Sequence, residues 1–166
     1  MTDIVSDGSS FDSAKYRQVL GHFPTGVTVI TAVNDGVPVG MAIVSFASLS
    51  LDPPQVLFCA GKSSLSWPKV RVVGSFCVNF FVEDQEDVCR VFASKAEDKF
   101  AEVGWRRSGN GSPLLEGVLG FIDCTIESVV ESGDHDIVVG AVSDLDVLHE
   151  GGPLLFFRGG YGRFQL

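Results

Sequence analysis

No apolar run in this 166-residue chain approaches the roughly 18 residues that a helix needs to cross a bilayer, so a helical membrane span is excluded. The first ten residues are polar and carry two Asp, unlike a secretory signal or a basic transit peptide. They read as a flexible N-terminus (1–10) ahead of one domain over 11–166, and the expected location is cytoplasmic. Basic residues are few: 12 Lys+Arg face 21 Asp+Glu, for a net charge of −9. That balance argues against a nucleic acid or an anionic membrane as partner. Cys59, Cys77, Cys89 and Cys124 are scattered without a C-x-x-C pair, and His22, His135 and His149 stand apart from them. No metal site is expected, since zinc needs clustered ligands; the cysteines read as buried, reduced thiols. Phosphate loops of the G-x-x-x-x-G-K-[ST] or G-x-G-x-x-G type, a G-x-S-x-G elbow and an H-E-x-x-H helix are all missing. Asp134 and Asp136 flank a turn, where solvated charge is the ordinary reading. Acid–base catalysis is not indicated.

What is present is a β-rich pattern. Nineteen glycines and seven prolines punctuate short Val/Ile/Phe runs. Tyr16, Val19, Leu20 and Phe23 fall on one stripe of a first helix, capped by Ser10 and ended by Pro24-Thr25-Gly26. Strands are predicted over 26–33 and 37–46, joined by a tight turn at Asn34-Asp35-Gly36, with Pro38 marking an edge or a bulge. Leu51-Asp52-Pro53-Pro54 reads as a rigid connector into a mostly buried strand over 55–60. A short helix over 64–73 and a strand over 75–81 follow. A helix over 84–94 would bury Val88, Val91 and Phe92. Residues 104–118 read as a long surface loop. In a strand over 120–130, Ile122, Cys124 and Ile126 face the core while Asp123, Thr125 and Glu127 face water. A turn at Ser132-Gly133-Asp134 leads into a strand over 136–147, and a last strand over 154–158 precedes a glycine-rich tail. The expected class is mainly β, an antiparallel barrel with peripheral α-helices. Residues 62–107 hold eight of the 12 basic side chains and only seven of the 21 acidic ones, so an anionic ligand would favour this stretch.

Five segments in order carry a resemblance. They are Phe23-Pro24-Thr25-Gly26-Val27-Thr28-Val29-Ile30-Thr31; residues 40–54 (GMAIVSFASLSLDPP); Phe76-Cys77-Val78-Asn79; Arg90-Val91-Phe92-Ala93 with Asp98-Lys99-Phe100; and Gly133-Asp134-His135. Over residues 11 to 162 the chain resembles the flavin reductase family with the FMN-binding split-barrel fold. Within it, the likeness is to reductase partners of aromatic and steroid-ring hydroxylating monooxygenases.

The resemblance implies FMN or FAD lying along Met41, Ala42, Ile43, Val44 and Ser45, with Ala47 and Ser48. It implies phosphate contacts from Lys62, Ser63 and Ser64, at a strand-to-helix junction with free amides, and a wall including Pro68, Lys69, Ser94 and Lys95. Without the resemblance, the serines read as helix caps and Lys95 as a solvated C-terminal charge. Lys99 and Asn79 are further candidates, Asn79 with the alternative of satisfying neighbouring backbone. NADH or NADPH as hydride donor would meet His135 and the tail Gly159, Gly160, Tyr161 and Gly162; a flexible C-terminus is the alternative for the tail. No catalytic side chain is obligatory, because the cofactors carry the chemistry. A homodimer and a separate monooxygenase component that receives reduced flavin are implied in the same way. Other readings are a non-catalytic FMN-binding carrier or sensor and a β-barrel interaction domain.

Overall fold

A computed structural model describes residues 11–165. The first helix, α1 (Ser13–Leu20), is capped by Asp12, whose carboxylate accepts from Ala14 N and Lys15 N at 2.9 and 3.1 Å. Asp12 therefore takes the role expected of Ser10, which lies outside the described residues with the rest of 1–10. The stripe Tyr16, Val19, Leu20 and Phe23 is exposed, and no residue of α1 is buried. Periodicity marked the apolar face correctly but could not show that none of the described residues covers it.

After the short strand β1 (Thr25–Gly26), β2 (Thr28–Asn34) and β3 (Val37–Ile43) form a hairpin with Asn34 opposite Val37. Asp35 and Gly36, at φ 51° and 79°, supply the two left-handed positions that such a two-residue turn requires. β3 lies on a sheet edge, where Pro38 forfeits no ladder bond. It ends at Ile43, short of the expected Phe46. Beyond it, Ser45 Oγ accepts from Cys59 N at 2.9 Å and donates to Cys59 O at 3.1 Å. One hydroxyl thus replaces the ladder where the chain leaves the sheet. β4 (Ala47–Leu51) and β5 (Pro54–Gly61) form a second hairpin, so the expected connector at 51–54 is a tight turn with a cis Asp52–Pro53 bond. β5 buries alternate residues, Val56, Phe58 and Ala60, rather than its whole length.

Helix α2 (Trp67–Val73), β6 (Ser75–Phe80) and α3 (Glu86–Ala93) come next. α3 buries Cys89 and Phe92; Val91, expected inside, is exposed. β9 (Gly120–Ser132) and β10 (His135–Val147) complete a seven-stranded antiparallel sheet in the order β3-β2-β6-β9-β10-β5-β4. It curls until the end of β3 meets β5 at the Ser45 clasp, as a split barrel should. Inside sit Ile30, Phe58, Trp67, Phe76, Val78 and Val138; outside, a second cluster packs Val29, Phe81, Phe92, Leu114 and Leu154.

Three readings of exposure are corrected. Residues 104–118 are no surface loop: β7 (Trp105–Arg107) pairs with β8 (Pro113–Leu115), and Ser112, Pro113, Leu114, Leu115 and Val118 are buried. Asn79 holds this segment in place. Its Oδ1 accepts from Leu115 N at 2.8 Å, and its Nδ2 donates to Val29 O and Thr31 Oγ1. Asp123 is fully buried under the turn at 108–112, accepting from Asn110 N at 3.0 Å. Beside it, burial first and then the Asp123 charge hold the Cys77 thiol far above its ordinary range, and burial pushes Cys124 up to about 12. Asp136 is buried too. Its Oδ2 accepts from Trp67 Nε1 at 2.8 Å, which pins the start of α2 to β10.

The glycine-rich tail is ordered as well. β11 (Leu154–Phe157) and β12 (Gly160–Arg163) form a hairpin through Arg158 and Gly159, and β1 adds to its other edge.

Candidate functional site

A groove of about 630 Å³ opens between three walls. The first is β3, contributing Gly40, Met41, Ala42 and Ile43. The second is the turn from Gly61 through Ser63, Ser64, Leu65 and Ser66 to Lys69. The third is the end of α3 and the segment after it, with Phe92, Ser94, Lys95, Glu97 and Lys99. β3 can form a smooth wall because Gly40 has no side chain. A Cβ there would sit 2.7 Å from the Phe92 ring and 3.3 Å from Ile30 O.

The polar groups divide into those already engaged and those free. Ser64 Oγ accepts from Ser66 N and Trp67 N, both at 3.2 Å, and reaches Met41 Sδ at 3.7 Å. The Ser66 and Trp67 amides at the start of α2 are therefore taken by Ser64, while the N-cap residue Ser66 makes no side-chain cap of its own. Ser66 Oγ donates to Gly40 O at 2.9 Å, tying two walls together. Ser94 Oγ donates to Val91 O at 2.7 Å and accepts from Ala96 N. Among the described residues, Ser63, Lys69 and Lys95 have exposed side chains with no hydrogen-bonded partner. Lys99 is half-buried; its Nζ donates to Phe92 O at 3.0 Å, Gly40 O at 3.2 Å and Ser66 Oγ at 3.5 Å. Burial holds its pKa below the ordinary lysine value. Three ammonium groups against the Glu97 carboxylate give this groove a positive field in an acidic chain.

The other expected residues lie elsewhere. Lys62 turns away from the groove to Glu131 at 3.7 Å and Asp136 Oδ1 at 3.9 Å. Pro68 is exposed in the first turn of α2 and does not line the groove. Val44, Ser45 and Ala47 line a second, apolar cleft of about 640 Å³ with Phe23, Val27, Phe46, Phe80 and Leu154. Ser48 is exposed on β4, opposite Val56. His135 pairs with Gly61, which lines the groove, and its Nε2 lies 3.6 Å from where a Gly61 Cβ would stand; the imidazole itself does not line the groove. Its Nδ1 is 2.7 Å from Asp134 Oδ1, and this partner holds the Asp134 carboxyl below its usual value. Tyr161 packs on α3 instead: Cys89 Sγ donates to its hydroxyl at 3.4 Å and the Arg90 guanidinium lies 4.9 Å from its ring centroid. Burial pushes the Tyr161 hydroxyl up to about 12. Gly159, Gly160 and Gly162 belong to this hairpin and do not line the groove.

Sequence reasoning passed over Gly40, Ser66 and Glu97. The signal for Gly40 was present, as a glycine inside a strand marks a close approach. The groove suits a flavin phosphate: the free Ser63 hydroxyl, the cations Lys69, Lys95 and Lys99, and the room left by Gly40 and Ala42 are what such a group needs.

A model of the flavin reductase like domain matches residues 20–165. The chain belongs to this family. It is 49% identical over 165 residues to the reductase subunit HsaB of a flavin-dependent monooxygenase from Rhodococcus jostii (strain RHA1), covering 97% of this chain and 85% of that protein. A solved structure of nitrilotriacetate monooxygenase component B from Mycobacterium thermoresistibile superposes with a TM-score of 0.90 at 49% identity, covering 93% and 87% of the two chains. The NADH:FAD oxidoreductase of Streptomyces globisporus, solved with NAD and FAD fragments, does so with a TM-score of 0.87 at 37% identity over 93% of each chain. The family's split barrel is the fold described above.

Proposed function

We propose that this chain reduces a flavin with a reduced nicotinamide dinucleotide and supplies it to a separate monooxygenase. The observation that carries this reading is the cationic groove, with Gly40 and Ala42 on its β3 wall, in a protein of net charge −9. FMN or FAD occupies the groove with its phosphate toward Ser63, Lys69 and Lys95. The ring lies along Met41, Ala42 and Ile43. When bound, the flavin supplies the hydride acceptor and NADH or NADPH the donor. The chain itself binds, aligns and excludes water; none of its side chains is required to form a bond. His135 orients the nicotinamide at the Gly61 end. The dinucleotide of the Streptomyces relative's name supports NADH, and its flavin supports FAD. One domain over 11–166, a cytoplasmic location and a homodimer belong to the same reading. The exposed stripe of α1 and the apolar second cleft support self-association. No helix among the described residues is long and apolar enough to cross a membrane.

The test is steady-state dinucleotide oxidation with FMN, FAD and riboflavin in parallel. Flavin-dependent turnover of about 1 s⁻¹ or more is expected. Absence of turnover with both NADH and NADPH, while flavin still binds, would favour the carrier or sensor.

His135→Ala should raise the KM for the dinucleotide about five- to tenfold and leave that for flavin nearly unchanged, as loss of roughly one hydrogen bond implies. Equal rises in both constants would give His135 a structural role instead.

A further inference from the structure

Among the described residues, Lys99 is a cation without a counter-charge. Its Nζ is surrounded by two carbonyls and a hydroxyl, from Phe92, Gly40 and Ser66, all neutral. No ion pair of Lys99 occurs among the described residues. A half-buried ammonium normally finds a carboxylate, since burying charge is costly unless it is compensated. Here the three neutral acceptors satisfy the N–H groups but leave the charge standing, and they fix it at the point where all three walls of the groove meet.

The surrounding titratable groups do not change this. α2 presents Lys69, which adds positive charge, while Arg71 turns to Asp136 at 3.5 Å. The segment after α3 presents Lys95 and Glu97, both exposed, and Asp98, whose Oδ1 accepts from Phe100 N. The lining stretches of β3 and of the α3 end carry no titratable side chain.

We infer that the missing counter-charge arrives with the ligand: Lys99 is the cation neutralised by the flavin phosphate, and phosphate binding is linked to a proton on its Nζ. This rests on the flavin reading of the groove. The sign follows from linkage. Burial lowers the lysine pKa in the free protein, and a bound anion raises it again. Affinity from this source is then fully present below the free-state pKa. It is lost as pH rises through the bound-state pKa.

Riboflavin has the same ring as FMN without the phosphate, so the ratio of their affinities isolates the linked contribution. Fluorescence titrations of wild type, K99M, K99R and K95Q with both flavins, from about pH 7.5 up to about pH 10.5, the ordinary lysine value, test it. In wild type the FMN-over-riboflavin ratio should fall as pH rises across this range. K99M should have a ratio about tenfold lower at pH 7.5 and no further fall. K99R, whose guanidinium stays charged, should keep the ratio high and flat. K95Q should lower the ratio yet retain its fall with pH. Equal loss of FMN and riboflavin in K99M, or a flat wild-type ratio, would overturn the role of Lys99. Wild type binding neither flavin would overturn the flavin reading itself, and this inference with it.

Discussion

Phe58→Ala is expected to lower the free energy of unfolding by about 3–5 kcal/mol, the range for emptying a large aromatic site in a core. Phe58 is fully buried on β5, edge-on to Phe76 at 5.3 Å and to Trp67 at 6.0 Å between ring centroids. It is the peg between the sheet and α2. The cavity left by its ring cannot close easily, because the Trp67 indole is held from the other side by Asp136. Urea unfolding measures the loss, and Phe58→Leu, which refills most of the volume, should recover more than half of it. α2 also carries Lys69 into the groove, so the alanine variant should bind FMN more weakly even at temperatures where it stays folded. A cost below about 1.5 kcal/mol would mean that the neighbouring rings collapse into the space.

Asn79→Ala should cost about 2–4 kcal/mol. Its amide is completely buried and serves the Leu115 N–H, the Val29 carbonyl and the Thr31 hydroxyl. Pro113 O keeps Thr31 as a donor after the change, but Leu115 N is left without the partner it has now. One orphaned buried donor costs about 1–3 kcal/mol, and loss of packing adds to it. The damage should be local in character: amide exchange at Leu115 and its neighbours should accelerate more than exchange in β9 and β10. Uniform acceleration across the sheet would instead make Asn79 a determinant of global stability alone.

These two residues also mark what the sequence could disclose. Elements specified by neighbours in the chain were legible. The Asn34-Asp35-Gly36 turn, the α3 helix and the turn at Ser132-Gly133-Asp134 all formed where local chemistry put them. Residues 104–118 were not, because their order comes from a side chain 36 positions away from Leu115. Asp123 alternates with apolar residues as a solvent-facing position does, and Asp136 flanks a turn, where charge is ordinarily solvated. They are buried because distant segments, 108–112 in one case and α2 in the other, cover that face. Alternation reports which face a residue takes, and not what lies over it.

The same limit shaped the site. Met41, Ala42, Ile43, Ser63, Ser64, Lys69, Ser94 and Lys95 converge on one groove from three stretches of chain. Lys62 does not, since at the end of a strand successive side chains point to opposite faces, and its neighbour Ser63 takes the groove side. The run from 41 to 47 divides between two clefts because β3 stops at Ile43 and the chain turns there.

The Ser45 clasp gives that division a mechanical meaning. Strands elsewhere in the sheet are laced by many rungs, but along this seam a lone hydroxyl bridges Cys59. Opening that seam would break the two hydrogen bonds of Ser45 and leave the rungs of both hairpins in place. The two hollows share no lining residue, and the turn of the chain after Ile43 stands between them.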